Sequence, residues 1–103
     1  MALPPKKDHR ISLAEAAGLT KAHRTAHAGA PKAHMFHREA FDTILAQPGC
    51  AGIRIYHGRD AKGEQHCVMV GVDQKGADMT SGGVMQQSYP CPPYCDEQSA
   101  LSR

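Results

Sequence analysis

The chain has 103 residues, with 12 Lys or Arg against 10 Asp or Glu and a formal charge of +2, which describes one domain with neither a strongly basic nor a strongly acidic face. Hydrophobic residues make up 41% of it, but 15 of them are Ala, and Leu, Ile, Val and Phe together supply only 15 of 103, below the roughly 20% that globular chains usually hold. The longest apolar run, Cys67–Val72, is far short of the ~20 residues of a membrane-spanning helix, and Met1-Ala2-Leu3-Pro4-Pro5-Lys6-Lys7 lacks the apolar stretch of a secretory signal.

The expected compartment is therefore the cytoplasm, where four Cys are thiols or metal ligands more often than structural disulfides. No membrane span is expected, and no nucleic-acid partner, because Lys and Arg are spread among acids and no aromatic cluster is present to stack bases. Domains of this length have little burial to spare. A metal, a disulfide or a partner surface is expected to supplement the core.

Residues 1–10 read as a solvated arm, with Pro4-Pro5 blocking helix. Ser12 followed by Glu15 forms a capping box, with Ile11 and Ala16 placed as a hydrophobic staple, and predicts a helix from Leu13 to about His27. Gly18 in its middle costs on the order of 1 kcal/mol. Ala28-Gly29-Ala30-Pro31 ends it. A second helix is predicted from Phe36 or His37 to Ala46, with Phe41, Ile44 and Leu45 on one face and Pro48-Gly49 as its stop. The period then changes to two: Gly52–His57 and Gln65–Val72 read as strands joined in a hairpin, with Val68, Val70 and Val72 in line. Asp73-Gln74-Lys75-Gly76 reads as a type I turn leading to a short third strand at Ala77-Asp78-Met79. From Thr80 the chain turns to Ser, Gly, Gln and Pro. Residues 89–95 are expected to be stiff and extended, and residues 96–103 frayed.

Three strings, QPGCAGIRIYHGRD, VGVDQKGADM and PCPPYC, resemble the signature blocks of a family of small uncharacterised bacterial proteins with the same order of helix, hairpin and Cys-Pro-Pro tail. The resemblance covers roughly Ile11 to Cys95. It implies no activity, and it places Cys50, Cys91 and Cys95, but not Cys67 or most of the His, inside the blocks.

Among chemical constellations, Cys91-Pro92-Pro93-Tyr94-Cys95 is C-x3-C, neither a zinc-knuckle nor a thioredoxin spacing. An extended polyproline path of about 3.1 Å per residue puts its ends roughly 12 Å apart, beyond the ~7 Å reach of a disulfide. A turn at Pro93-Tyr94 brings both thiolates onto one zinc. A structural zinc site joining Cys91 and Cys95 to Cys50 and to Cys67 or His66 staples the tail to one end of the hairpin. For Cys50 and Cys67 the alternative is burial as small hydrophobes, and for the tail it is an extended strap on a partner. His23 and His27, and His34 and His37, stand at helical spacings that suit a metal-handling protein. A Cys–His nucleophile pair drawn from Cys50 or Cys67 with His57 or His66 wants Asp60 or Asp73 as its orienter, but adjacent His66 and Cys67 point to opposite sheet faces. Asp73 and Asp78 read as turn-capping side chains.

The expectation is thus an α+β domain over residues 11–79, two helices packed on a small antiparallel meander, with an extended Cys/Pro tail over 80–103. Its function is expected to be that of a non-enzymatic interaction or assembly module, forming a homo-oligomer or meeting a protein partner through a sheet face bearing Arg54, Tyr56 and Met69 and through the tail, which zinc pins. The alternatives are a thiol-based redox protein using Cys50 and the tail cysteines, and a metal-handling protein using the His pairs.

Overall fold

A computed structural model describes residues 2–103 as a small α+β protein with two helices and two two-stranded antiparallel sheets. In chain order these are α1 (Leu13–Ala26), β1 (Ala33–Met35), α2 (Arg38–Leu45), β2 (Cys50–Arg59), β3 (Gln65–Asp73) and β4 (Tyr89–Cys91). The chain divides into two compact units, one formed by Phe36–Ser88 with residues 2–6, the other by Lys7–Met35 with Tyr89–Arg103. This division cuts across an arm, a domain and a tail: α1 groups with the tail, and the start of the arm with the hairpin.

In the first unit α2 begins after His37, whose extended backbone (φ −66°, ψ 155°) admits the helix. Its one buried residue, Ile44, points at the hairpin, 3.3 Å from where a Cβ on Gly71 would stand. The β2–β3 register pairs Ile53 with Gly71, Arg54 with Val70, Ile55 with Met69, Tyr56 with Val68 and His57 with Cys67. Side chains alternate across a sheet, so one face carries Ile53, Ile55, His57, Met69 and Cys67, and the other Arg54, Tyr56, Val68, Val70 and Val72. Met69 and Met85 exchange backbone hydrogen bonds of 2.8 and 2.9 Å, and Met79 N donates to Gly71 O at 2.8 Å. These lie on the edge of β3 away from β2, so β3 is central. Met69, Val70 and Val72 form the core with Ile44. The expected third strand at Ala77–Met79 shrinks to a single bridge between Val72 and Asp78.

The two turns that flank β3 use one signature, Asp-x-Lys-Gly. Asp60 Oδ1 accepts from Lys62 N and Glu64 N at 2.9 and 3.0 Å, and Asp73 Oδ1 accepts from Lys75 N and Ala77 N at the same distances. Gly63 and Gly76 take φ of +82° and +83°, a conformation that β-carbon sterics deny to most residues. At Gly76 a Cβ would also stand 2.7 Å from the Ala2 carbonyl carbon. The start of the arm therefore lies against this turn rather than loose in solvent.

In the second unit Ser12 caps α1 as expected, its Oγ accepting from Glu15 N at 3.0 Å. No residue of α1 is buried. The expectation of an extended, frayed tail is corrected. Ala33, His34 and Met35 pair with Cys91, Pro90 and Tyr89. The chain then turns, Tyr94 N donating to Pro90 O and Cys95 N to Pro93 O, both at 3.0 Å. Past it, Arg24 Nη1 donates to Leu101 O at 2.8 Å and Lys32 Nζ to Ser102 O at 3.1 Å. Backbone acceptors thus find partners in this unit's own cations, which composition alone does not reveal.

Two alanine substitutions separate packing from backbone entropy. At Gly71 the new methyl would meet Gln47 Nε2 at 2.9 Å and Cys50 Sγ at 3.3 Å, so Gly71→Ala is expected to lower unfolding free energy by about 1–3 kcal/mol. Gly18 has nothing within 4 Å of its Cβ position, so Gly18→Ala is expected to stabilise α1 by about 0.5–1 kcal/mol. Urea titrations followed by far-ultraviolet circular dichroism should show opposite shifts, and equal ones would contradict this packing.

Candidate functional site

The structure distributes the expected metal ligands rather than assembling them. Cys50 opens β2 across from Asp73, whereas Cys67 lies across from His57. Seven residues of strand at about 3.3 Å each separate these positions by roughly 20 Å, so Cys50 and Cys67 stand at opposite ends of the hairpin and not at one. Cys50 Sγ donates to Gly52 O at 3.2 Å. Burial pushes the Cys67 thiol above the ordinary cysteine range, which keeps it protonated and poorly nucleophilic.

Cys91 and Cys95 are joined to each other as a disulfide, with their Cα atoms 4.9 Å apart. The turn after Pro90 shortens the path that an extended segment would open to roughly 12 Å. The pair's sulfurs are thus committed to one another, and the reading of all four Cys as thiols or ligands holds only for Cys50 and Cys67. Among the described residues no three His, Cys, Asp or Glu side chains gather as a metal site. Of the His pairs, His34 sits in β1, and His37 stands at the N-cap of α2. His23 and His27 do adjoin, their rings 5.3 Å apart, with His23 Nε2 3.3 Å from Pro31 O.

What sequence reasoning missed is a polar network on the valine face of the hairpin. Arg54 Nη1 donates to Asp78 Oδ1 at 2.5 Å and to Gly76 O at 3.3 Å, while the Tyr56 hydroxyl donates to Asp78 Oδ2. Asp78 is therefore an acceptor for two β2 side chains, not a turn cap; the turn is capped by Asp73 alone. Farther along, His66 Nε2 lies 2.9 Å from Asp60 Oδ2, and its Nδ1 lies 2.7 Å from Gln86 Nε2. With its proton on Nε2, the neutral ring donates to Asp60 and accepts from Gln86, so both nitrogens are satisfied. Cys67 lies on the opposite face, as expected, and no thiol joins this His–Asp pair.

Met69 is corrected as a partner-facing residue. It is 0% exposed and shares its face with Ile55, not with Arg54 and Tyr56. The physical reason is the register: the five-residue loop 60–64 sets Arg54 across from Val70, and side chains directly opposite share a face. The signal for Asp78 was its place beside the Asp73–Gly76 turn, which returns the chain along β3.

The Tyr56 hydrogen bond, and then the Arg54 guanidinium, hold the Asp78 carboxyl below its ordinary range, while donation to Asp78 raises the Tyr56 phenol. The depressed Asp78 value contributes stability that is present above the unfolded aspartate value, about 3.9, and is lost as pH falls through the folded one. The raised Tyr56 value contributes below the unfolded tyrosine value, about 10, and is lost as pH rises through the folded one. In Asp78→Asn, the Tyr56 ring followed by NMR is expected to titrate closer to an ordinary tyrosine than in the parent chain. An unchanged Tyr56 titration would refute the coupling.

No family model, no curated protein and no solved structure matches the chain.

Proposed function

We propose that this chain is a non-enzymatic assembly module that pairs with a second copy of itself through the outer edge of β2. The observation that carries this reading is the direction of the β2 backbone. Met69 and Gly71 spend their β3 hydrogen bonds on Met85 and Met79, and they stand across from Ile55 and Ile53. In an antiparallel ladder such pairs do not bond to each other. The N–H and C=O of Ile53 and Ile55 therefore aim away from β3, along an edge with no strand partner among the described residues.

An open ten-residue edge strand is a template for pairing. It is also self-complementary. With a two-fold axis at Ile55, outward-aimed Ile55 meets Ile55 and Ile53 meets His57, each a hydrogen-bonding pair of the new ladder. On the other face Arg54 of each copy stands across from Tyr56 of the other. Ile55, 53% exposed, is covered by its counterpart. Moving the axis one residue, onto Arg54, would set two guanidinium groups directly opposite, which is destabilising. The charge pattern thus disfavours that shifted register.

Arg54 and Tyr56 keep the partner-facing role expected of them, whereas Met69 contributes only as the floor beneath Ile55. The tail serves this module as a segment closed by its own disulfide, without zinc as part of the reading.

Native mass spectrometry at tens of micromolar is expected to show twice the chain mass. Ile55→Lys places two ammonium groups opposite each other and is expected to leave a folded monomer with the parent circular dichroism spectrum. A parent chain that stays monomeric at millimolar concentration would overturn the proposal.

A further inference from the structure

We infer that Cys91–Cys95 is a thiol–disulfide exchange site, in which Cys95 is the sulfur attacked by a small external thiol and Cys91 is the sulfur that leaves. The inference rests on an asymmetry between the two halves of the pair. Cys91 is 5% exposed and lies in β4, paired with Ala33, and its carbonyl accepts from Lys32 N at 2.6 Å. Its backbone is held within the two-stranded sheet. Cys95 is half-buried and sits past the turn, its N–H bonded only as far back as Pro93 O at 3.0 Å. One sulfur is anchored and shielded; the other stands at the open end of a short loop.

Exchange requires in-line approach of a thiolate to one sulfur along the S–S axis, so access decides which sulfur is attacked. Here access selects Cys95. Its flank also selects the thiol. Asp96 and Glu97 follow Cys95 and are exposed, so an anionic thiol such as glutathione is repelled and a neutral or cationic one is favoured. Tyr94, 61% exposed with its ring 4.9 Å from that of Tyr89, supplies apolar surface beside the approach.

The reaction balances with two equivalents of thiol. The first thiolate forms a bond to Cys95 Sγ; the Cys91–Cys95 bond breaks, and its electron pair leaves on Cys91, which takes a proton from solvent. The second thiolate attacks the external sulfur of that mixed disulfide and releases Cys95, which is protonated in turn. The protein disulfide is reduced by two electrons, and two small thiols are oxidised to one small disulfide.

The test uses the full chain and cysteamine, a cationic thiol. After a short pulse and an acid quench, peptide mass mapping is expected to find the mixed disulfide on Cys95. An adduct on Cys91, an equal split, or no reduction until the chain is denatured would overturn the assignment, the last by making the bond a buried staple. Single variants give a second reading. With cystamine, the free Cys95 of Cys91→Ser is expected to label at least about tenfold faster than the free Cys91 of Cys95→Ser under native conditions, and the rates should converge in guanidinium. Equal native rates in variants that keep the parent circular dichroism spectrum would overturn the assignment.

Discussion

The hairpin unit depends on one constraint: β3 must bury both of its faces and satisfy both of its edges. The run Met69-Val70-Gly71-Val72 is buried throughout, which an amphipathic strand with one wet face does not permit. One face is closed by Ile44 of α2, and glycine at residue 71 leaves room there for Ile44 and Gln47. One edge is closed by β2 and the other by the returning chain at Met79 and Met85. A sequence with only 15 Leu, Ile, Val and Phe residues thus concentrates its burial on one strand instead of spreading it through a broad core.

Concentrating burial in this way makes register decisive, because a slip of one residue exchanges the two faces of a strand. The two Asp-x-Lys-Gly turns flank β3 and fix where it begins and ends. In each, one carboxylate oxygen collects two backbone amides, and a glycine takes the left-handed conformation that closes the turn. Fixed at both ends, β3 sets Arg54 across from Val70, and the same geometry brings Asp78 back within reach of Arg54 and Tyr56. The polar network is a product of the turns as much as of the strand residues themselves. It also orients Arg54 and Tyr56 along the valine face, where a second β2 would meet them.

The parts of this fold that local chemistry governs were legible from the residues. The Ser12–Glu15 cap, the end of α1 before Gly29, the period of two in β2 and β3, and the turn at Asp73–Gly76 all follow from interactions within a few positions. The first Asp-x-Lys-Gly turn, Asp60–Gly63, repeats the pattern of Asp73–Gly76, although on the residues alone it reads only as a hairpin connection. What the residues did not disclose was long-range. The pairing of β1 with β4 joins Met35 to Tyr89 across 53 intervening residues, and neither three-residue strand has a periodicity to betray it. Cys91–Cys95 escaped because consecutive prolines argue for extension, while the hydrogen bonds from Tyr94 and Cys95 back to Pro90 and Pro93 favour the turn. At the site, the opposite faces of His66 and Cys67 followed from alternation alone. The Asp78 network did not, because it needs the register.

The second unit meets the same shortage of apolar residues by different means. Among its described residues only Cys91 belongs to the buried apolar set, and α1 buries nothing. Directional bonds take the place of burial there: the guanidinium of Arg24 and the ammonium of Lys32 hold the carbonyls of residues 101 and 102, and the disulfide closes a short loop. By chain-entropy reasoning a ring of this size restrains the unfolded chain by about 2 kcal/mol, of the same order as the burial of one large side chain. Where a core is this small, one covalent bond carries a substantial share of the local order. A sulfur accessible to exchange then sits in the bond on which that order depends, so the chemistry of Cys95 and the folding of β4 onto β1 are coupled by construction.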